Sequence, residues 1–209
     1  MNRNEIIREL ASDMVNGVCV EIGTHKGEFA EEILKTFPTC TLYCIDPYCS
    51  YPEYDDTINK FTGDAIYIDT SMRLKDLYGD RVHFIREFSS KAVSMIPDQI
   101  DFLYIDGNHS YPFVKQDLEL YYPKMKSNRY ILGDDAVDLD GIPRNAVGDI
   151  LVEWVSGAYG YYGVIKAFRE FTAKNNLYGS LIGNQYLVCI GSLETGFELP
   201  SFSVAGSKQ

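Results

Sequence analysis

Short apolar runs recur along this chain, and between them the spacing of apolar residues changes to that of helices. Val18–Ile22, Thr41–Ile45, Val82–Ile85, Ile100–Ile105 and residues 130–132 are the runs. Stretches this short and this continuously apolar read as strands covered on both faces. Residues 2–16, 27–35, 71–78, 90–95, 112–122 and 161–174 carry the helical spacing. Strands alternating with helices at these intervals build βαβ units and therefore a parallel sheet. The chain's end breaks the pattern. Residues 178–182 and 185–190 are two runs joined by Gly183-Asn184, a pair suited to a tight hairpin, so the sheet finishes in antiparallel strands. Residues 49–68 are rich in Tyr, Asp and Pro without a period and read as a loop.

A length of 209 residues with 45% hydrophobic residues suits one domain with a full core. We place that domain at 1–199 and read the small, polar residues 200–209 as a loose tail. Thirty acidic against 19 basic side chains give a net charge of -11. Such a surface repels phosphate backbones and anionic lipid, which argues against nucleic-acid and membrane partners. No apolar run approaches the ~20 residues of a membrane span, and the first residues hold no apolar leader segment. The five cysteines are odd in number, and Cys19, Cys44 and Cys189 sit in apolar runs. Reduced thiols and a cytoplasmic location are the expectation. The spacing of Cys40, Cys44 and Cys49 is not that of a zinc site.

Open α/β sheets bind ligands beyond the carboxyl ends of their strands, and each polar cluster of this chain falls there. The first turn reads Glu21-Ile22-Gly23-Thr24-His25-Lys26-Gly27. Gly23 and Gly27 allow a sharp turn and a close backbone approach. A dinucleotide fingerprint needs a glycine where His25 stands, which argues against NAD. Asp46 follows the second run, 25 residues after Glu21, where an acid can accept both hydroxyls of a ribose. Its plain alternative is a turn cap before Pro47.

These motifs resemble class I S-adenosylmethionine-dependent methyltransferases. Ile100-Asp-Phe-Leu-Tyr-Ile-Asp-Gly-Asn-His-Ser-Tyr111, Asp117-Leu118 and Gly133-Asp-Asp135 are similar to the macrocin-type O-methyltransferase subgroup, over roughly residues 15–190. The resemblance implies a Rossmann-like, seven-stranded, mostly parallel sheet with a terminal antiparallel hairpin and helices on both faces. It implies S-adenosylmethionine as cofactor, with Glu21 and Gly23 bordering its methionine part, Asp46 on the ribose, Ser89 beside the adenine, and Thr24, Gly27 and Asp106 also among the cofactor-binding residues. Glu87 stands where relatives often carry glycine.

Asp106, Asp134 and Asp135 end adjacent strands. Carboxylates brought that close repel one another, and a hard divalent cation, magnesium first, would resolve the repulsion. Metal-dependent members of the group hold their ion at these positions. The plain alternative has these acids capping turns and meeting solvent. His109 lies three residues after Asp106, where catechol-type relatives carry a proton-accepting lysine, and its intrinsic pKa suits the same task; alternatively it only orders its loop. Trp154 and the run 159–163 suit a lid or a contact in a homodimer. The expected activity is methyl transfer to a hydroxyl of a small, perhaps sugar-like acceptor, metal-assisted. The rivals are a metal-independent methyltransferase and a cofactor-binding protein without catalysis.

Overall fold

The computed structural model describes residues 1–13, 17–52, 57–137, 150–153 and 159–192. Trp154 and the tail at 200–209 lie outside them. Five strands form first: β1 (Val18–Ile22), β2 (Thr41–Ile45), β3 (Val82–Ile85), β4 (Ile100–Ile105) and β5 (Met125–Gly133). A small separate hairpin, β6 (Ile150–Glu153) and β7 (Tyr159–Tyr162), precedes the closing pair β8 (Leu177–Ile182) and β9 (Gln185–Ser192). The seven-stranded sheet runs β3-β2-β1-β4-β5-β9-β8, with β6 and β7 paired apart from it. Strands β1 to β5 pair in parallel, and β9 is antiparallel to both neighbours. The order reverses between β1 and β4, and the crevice above that reversal is where such sheets take ligands.

Helices cover both faces. On one lie α1 (Arg3–Glu9) and α2 (Glu28–Thr36), whose Ile6, Ile7, Phe29, Ile33 and Leu34 are buried in a cluster with Phe102 and Tyr104 of β4. Leu74 of α3 (Thr57–Tyr78) joins that cluster. On the other lie α4 (Ser89–Ala92), α5 (Tyr111–Tyr121) and α6 (Val164–Asn175), which cover Leu103, Ile105 and Ile131. Strand β4 is buried along its whole length because both layers rest on it. Each Leu, Ile or Phe so buried stabilises the fold by roughly 1.5–3 kcal/mol.

The fold class is as expected, with local differences. The first helix is α1 and a short 3-10 turn, Ala11–Asp13, and residues 14–16 lie outside the described residues. A 22-residue helix, α3, replaces the second half of the expected loop at 49–68 and absorbs the helix expected at 71–78. Its apolar residues point in all directions: Leu74 is buried, while Phe61, Ile68, Met72 and Leu77 are exposed. A helix with no apolar stripe leaves no period to detect. Strand β5 is longer than expected because Lys126 and Arg129 are drawn in by ion pairs to Asp101.

Candidate active site

The strand ends are levelled by backbone hydrogen bonds. The amide of Gly23 donates to Ile45 O at 2.8 Å, that of Asp106 to Ile22 O at 2.8 Å, that of Asp134 to Ile105 O at 3.1 Å, and that of Asp46 to Ile85 O at 3.3 Å. Each residue extends its parallel ladder by one step, so the polar side chains emerge at one height. Gly23 takes a φ of 90°, and a Cβ there would stand 2.0 Å from the carbonyl oxygen of Asp106. Only glycine lets the first turn pass this close to the end of β4.

A cavity of about 360 Å³ opens above these ends, a volume suited to a small ligand or cofactor. Gly23, His25, Asp46, Ser89, Asp106 and His109 line it, as do Asp117 and the rings of Tyr51, Phe88 and Phe113. Tyr51 meets Phe88 edge-on at 5.2 Å between ring centres. On the cavity's β2 side, Asp46 accepts from the amides of His25 at 2.9 Å and Tyr48 at 2.7 Å. Glu21 and Thr24 are buried beneath the turn and border a separate, smaller pocket rather than this cavity, and Glu21 Oε2 and Thr24 Oγ1 have no hydrogen-bond partner among the described residues. Burial pushes the Glu21 carboxyl up to about 8, Arg3 opposing and Asp106 and Asp46 adding to the rise. Gly27 starts α2 with a left-handed backbone and does not line the cavity.

On the β4–β5 side the acids find other partners. His109 Nε2 lies 3.3 Å from Asp106 Oδ1, and Nδ1 lies 3.2 Å from Asp135 Oδ2. The second contact is too poorly aligned for a hydrogen bond, and the buried Nδ1 has no hydrogen-bond partner among the described residues. Tyr162 meets the ring edge-on at 4.7 Å, and the His109 carbonyl accepts from the Gly163 amide at 2.7 Å. Burial pulls the imidazole pKa down, but Asp106, Asp135 and Asp134 outweigh it and the pKa is raised. Asp135, in a left-handed conformation, is also raised, chiefly by burial.

Asp134 belongs to a different set. Its Oδ2 accepts from Arg3 Nη1 at 3.1 Å and from the Tyr104 hydroxyl at 3.0 Å. Its Oδ1 accepts from the Asp135 amide at 2.8 Å and from Gln185 Nε2. Arg3 Nη1 also reaches Asp106 Oδ2 at 3.0 Å. The three-aspartate ion site expected from sequence is therefore not the group these side chains form. The residues whose ligand atoms lie within 4.8 Å of one another are Asp106, His109 and Asp135.

Four participants carry no role in the sequence analysis, although Tyr104 and Asp117 stand inside its quoted motifs. Asp117 occupies an inward position of α5 between Val114 and Tyr121, where burial pushes its carboxyl up to about 7 against the Ser89 hydrogen bond of 2.6 Å. An acid on an apolar stripe is a legible signal. Arg3, Tyr104 and Gln185 carried none, because their roles depend on elements far away in sequence.

A model of a methyltransferase-domain family matches residues 20–136. An uncharacterised protein of Acanthamoeba polyphaga mimivirus is 29% identical over 150 residues, which are 68% of this chain and 63% of the viral protein. The chain thus spans under two thirds of that relative's length. A Staphylococcus aureus protein assigned as a caffeoyl-CoA O-methyltransferase superposes with a TM-score of 0.61 at 13% identity, covering 90% of this chain and 83% of that one. A Burkholderia thailandensis 1,6-didemethyltoxoflavin-N1-methyltransferase, solved with S-adenosylhomocysteine, gives 0.54 at 13% identity, covering 89% and 77%. At such identities the likeness speaks for the fold. With its seven-stranded sheet and the matched segment running from β1 through the end of β5, the chain belongs to the methyltransferase-domain family.

Proposed function

We propose that this protein is an S-adenosylmethionine-dependent O-methyltransferase acting on a hydroxyl of a small acceptor. The observation that carries the reading is one cavity with Asp46 on its β2 side and the His109–Asp106 pair on its β4 side.

The residues present fit the cofactor. Glu21 Oε2 is a buried acceptor without a donor, and the cofactor's methionine ammonium would supply one. Asp46, fixed by two backbone amides, would take the ribose hydroxyls. Ser89, Asp117 and the rings of Phe88 and Phe113 would hold the adenine. The bound sulfonium supplies an activated methyl group and leaves as a thioether.

His109, which lines the cavity, takes the proton of the acceptor hydroxyl as the oxygen–methyl bond forms. Asp106, 3.3 Å from Nε2, and Asp135, 3.2 Å from Nδ1, flank the ring and stabilise the imidazolium that results. Arg3 already lies between Asp106 and Asp134, and Asp134 is saturated by its partners. The residues do not fit the expected magnesium site, so no step runs through a metal.

A small neutral or cationic acceptor agrees with the net charge of -11 and with sugar-like compounds as a first class to screen. All five cysteines are free thiols, which supports the reading of a cytoplasmic location. No helix among the described residues is long and apolar enough to cross a membrane.

Calorimetry with S-adenosylhomocysteine and with NAD, followed by an acceptor screen that reads S-adenosylhomocysteine release, tests the reading. Binding of the demethylated cofactor at micromolar concentrations and none of NAD is expected. Absence of the first, or preference for the second, overturns it.

A further inference from the structure

The acidic end of the site carries a cation of the chain's own. Arg3 Nη1 sits at the apex of three oxygens: Tyr104 OH at 2.9 Å, Asp106 Oδ2 at 3.0 Å and Asp134 Oδ2 at 3.1 Å. Its guanidinium carbon lies 4.9 Å from the centre of the Phe29 ring and 5.8 Å from that of Tyr104, so two aromatic faces flank the charge. Half-burial opposes the charge, but Tyr104 and the two carboxylates outweigh that effect and raise the arginine's pKa further.

The helix that delivers Arg3 is built to hold it still. Asn2 caps α1 by accepting from the Glu5 amide at 3.0 Å, and Glu5 returns the bond to the Asn2 amide at 2.8 Å. This capping box closes around Arg3, the first residue of the helix. Ile6, Ile7 and Leu10 behind it are fully buried. Fixing the guanidinium therefore costs little side-chain entropy beyond that of the docked helix.

We propose that Arg3 stands in for a divalent ion at the ends of β4 and β5, making Asp106 and Asp134 an arginine cradle and this methyltransferase independent of metal. A carboxylate has about four acceptor positions. Asp134 fills them with Arg3, Tyr104, the Asp135 amide and Gln185. Magnesium binds oxygen at roughly 2.0–2.1 Å and tolerates little distortion, so it cannot enter between Asp106 and Asp134 while Nη1 lies near 3 Å from both. Arg3 and a metal ion are alternatives for one place. The charge argument needs only the geometry; its consequence for turnover rests on the methyl-transfer reading above.

The test uses the full chain, treated with EDTA and then titrated with manganese and magnesium. Thermal shift gives one readout. Terbium luminescence excited through the nearby tyrosines, Tyr104 and Tyr162, gives another that needs no acceptor. Wild type and Arg3→Lys should show no saturable binding up to about 1 mM, the weak end of carboxylate sites. Arg3→Gln uncovers two carboxylates and should bind at least about tenfold tighter than wild type. A folded Arg3→Gln protein with no gain in ion affinity marks Arg3 as merely structural and overturns the proposal. If Arg3→Gln does not fold, wild type decides: saturable binding below about 1 mM that Asp106→Asn, Asp134→Asn or Asp135→Asn removes is fatal, and its absence is support. S-adenosylhomocysteine titrated into the same samples separates the two readings. Failure to bind it counts against the methyltransferase function and leaves the ion result standing.

Discussion

Strand β4 carries an aspartate at each end, and the two are treated in opposite ways. Asp101 is buried near the amino end and accepts from the Val18 amide at 2.9 Å, Lys126 Nζ at 2.8 Å and Arg129 Nε at 2.8 Å. All three donors belong to the neighbouring strands β1 and β5, so the carboxylate cross-links the sheet and faces no cavity. Asp106 follows the carboxyl end. It accepts from the Tyr104 hydroxyl of β4 itself, but also from Arg3 of a helix and His109 of a loop outside the sheet, and it borders the cavity. Two acids five positions apart on the same chain thus divide stability from chemistry. What separates them is that Asp101 is buried among donors of the sheet, whereas Asp106 is only partly buried and draws partners from outside the sheet.

The largest effect that sharpens this contrast belongs to His109→Ala. With an acceptor found by screening, turnover should fall about 10²–10⁴-fold, the usual share of a general base. Affinity for S-adenosylhomocysteine should stay within about twofold, because His109 is assigned to the acceptor side. The base must be neutral, and its pKa is raised. The wild-type rate should therefore climb with pH through a value above that of an ordinary histidine and then level. A mutant that keeps this rising limb places the proton elsewhere.

Asp101→Ala is the matching test at the other end. It strips Lys126 and Arg129 of a buried partner and should cost about 3 kcal/mol of stability, as breaking a buried ion pair does. Cofactor affinity in the folded fraction should be unchanged. The pH dependence has a definite sign. Burial alone would raise this carboxyl, but Arg129, Lys126 and the Val18 amide outweigh it and hold the pKa below the usual range. Its contribution is then complete above the unfolded pKa of an aspartate and is lost as pH falls through the lower folded value. Urea melts between acid and neutral pH measure this. Equal stabilities for mutant and wild type at neutral pH would dissolve the contrast between the two ends.

How much of this was legible in the sequence follows the same division. Gly23, Asp46 and Asp106 each follow a short apolar run, Glu21 stands one residue before the end of its run, and the parallel ladder brings these strand ends level. Like charge between Asp106, Asp134 and Asp135 calls for a cation, but spacing does not show that Arg3, more than a hundred residues from Asp106 and Asp134, reaches both. Local spacing records which strand a residue ends; it does not record which helix docks over that end. The long helix α3 hid for a related reason: its neighbours impose no single apolar face, so no period remains in its sequence.

Asp46→Ala tests the cofactor side with a smaller expected effect. Loss of a charged hydrogen-bond acceptor to two hydroxyls should weaken S-adenosylhomocysteine about 10–100-fold. The methyl acceptor's KM should not change. Part of the loss would come from the turn itself, since Asp46 also holds the amides of His25 and Tyr48. Asp46→Asn, which keeps two of these roles in part, should fall between. An affinity for the demethylated cofactor equal to that of wild type in Asp46→Ala removes the ribose assignment.

Glu21 gives the smallest effect and the most diagnostic one. Its carboxyl is pushed up to about 8 by burial, against an ordinary value of 4.5. Near neutral pH the free protein therefore holds this group largely protonated. The contribution to stability has the sign opposite to that of Asp101: it is complete below the unfolded pKa and is lost as pH rises through about 8. A positively charged amine placed against Oε2 reverses the balance, because an opposite charge favours the ionised form. Binding of S-adenosylhomocysteine should then release up to about one proton per site at neutral pH. Calorimetry in buffers of differing ionisation enthalpy reads that number from the slope of apparent heat against buffer heat. Glu21→Gln should bind more weakly and release no proton. A zero slope in the wild type, with binding intact, means that the ammonium lies elsewhere and that the orphaned oxygen of Glu21 is satisfied by another donor. A slope that survives in Glu21→Gln passes the proton to a different group, and Asp117, raised to about 7 and lining the cavity, is the residue to change next.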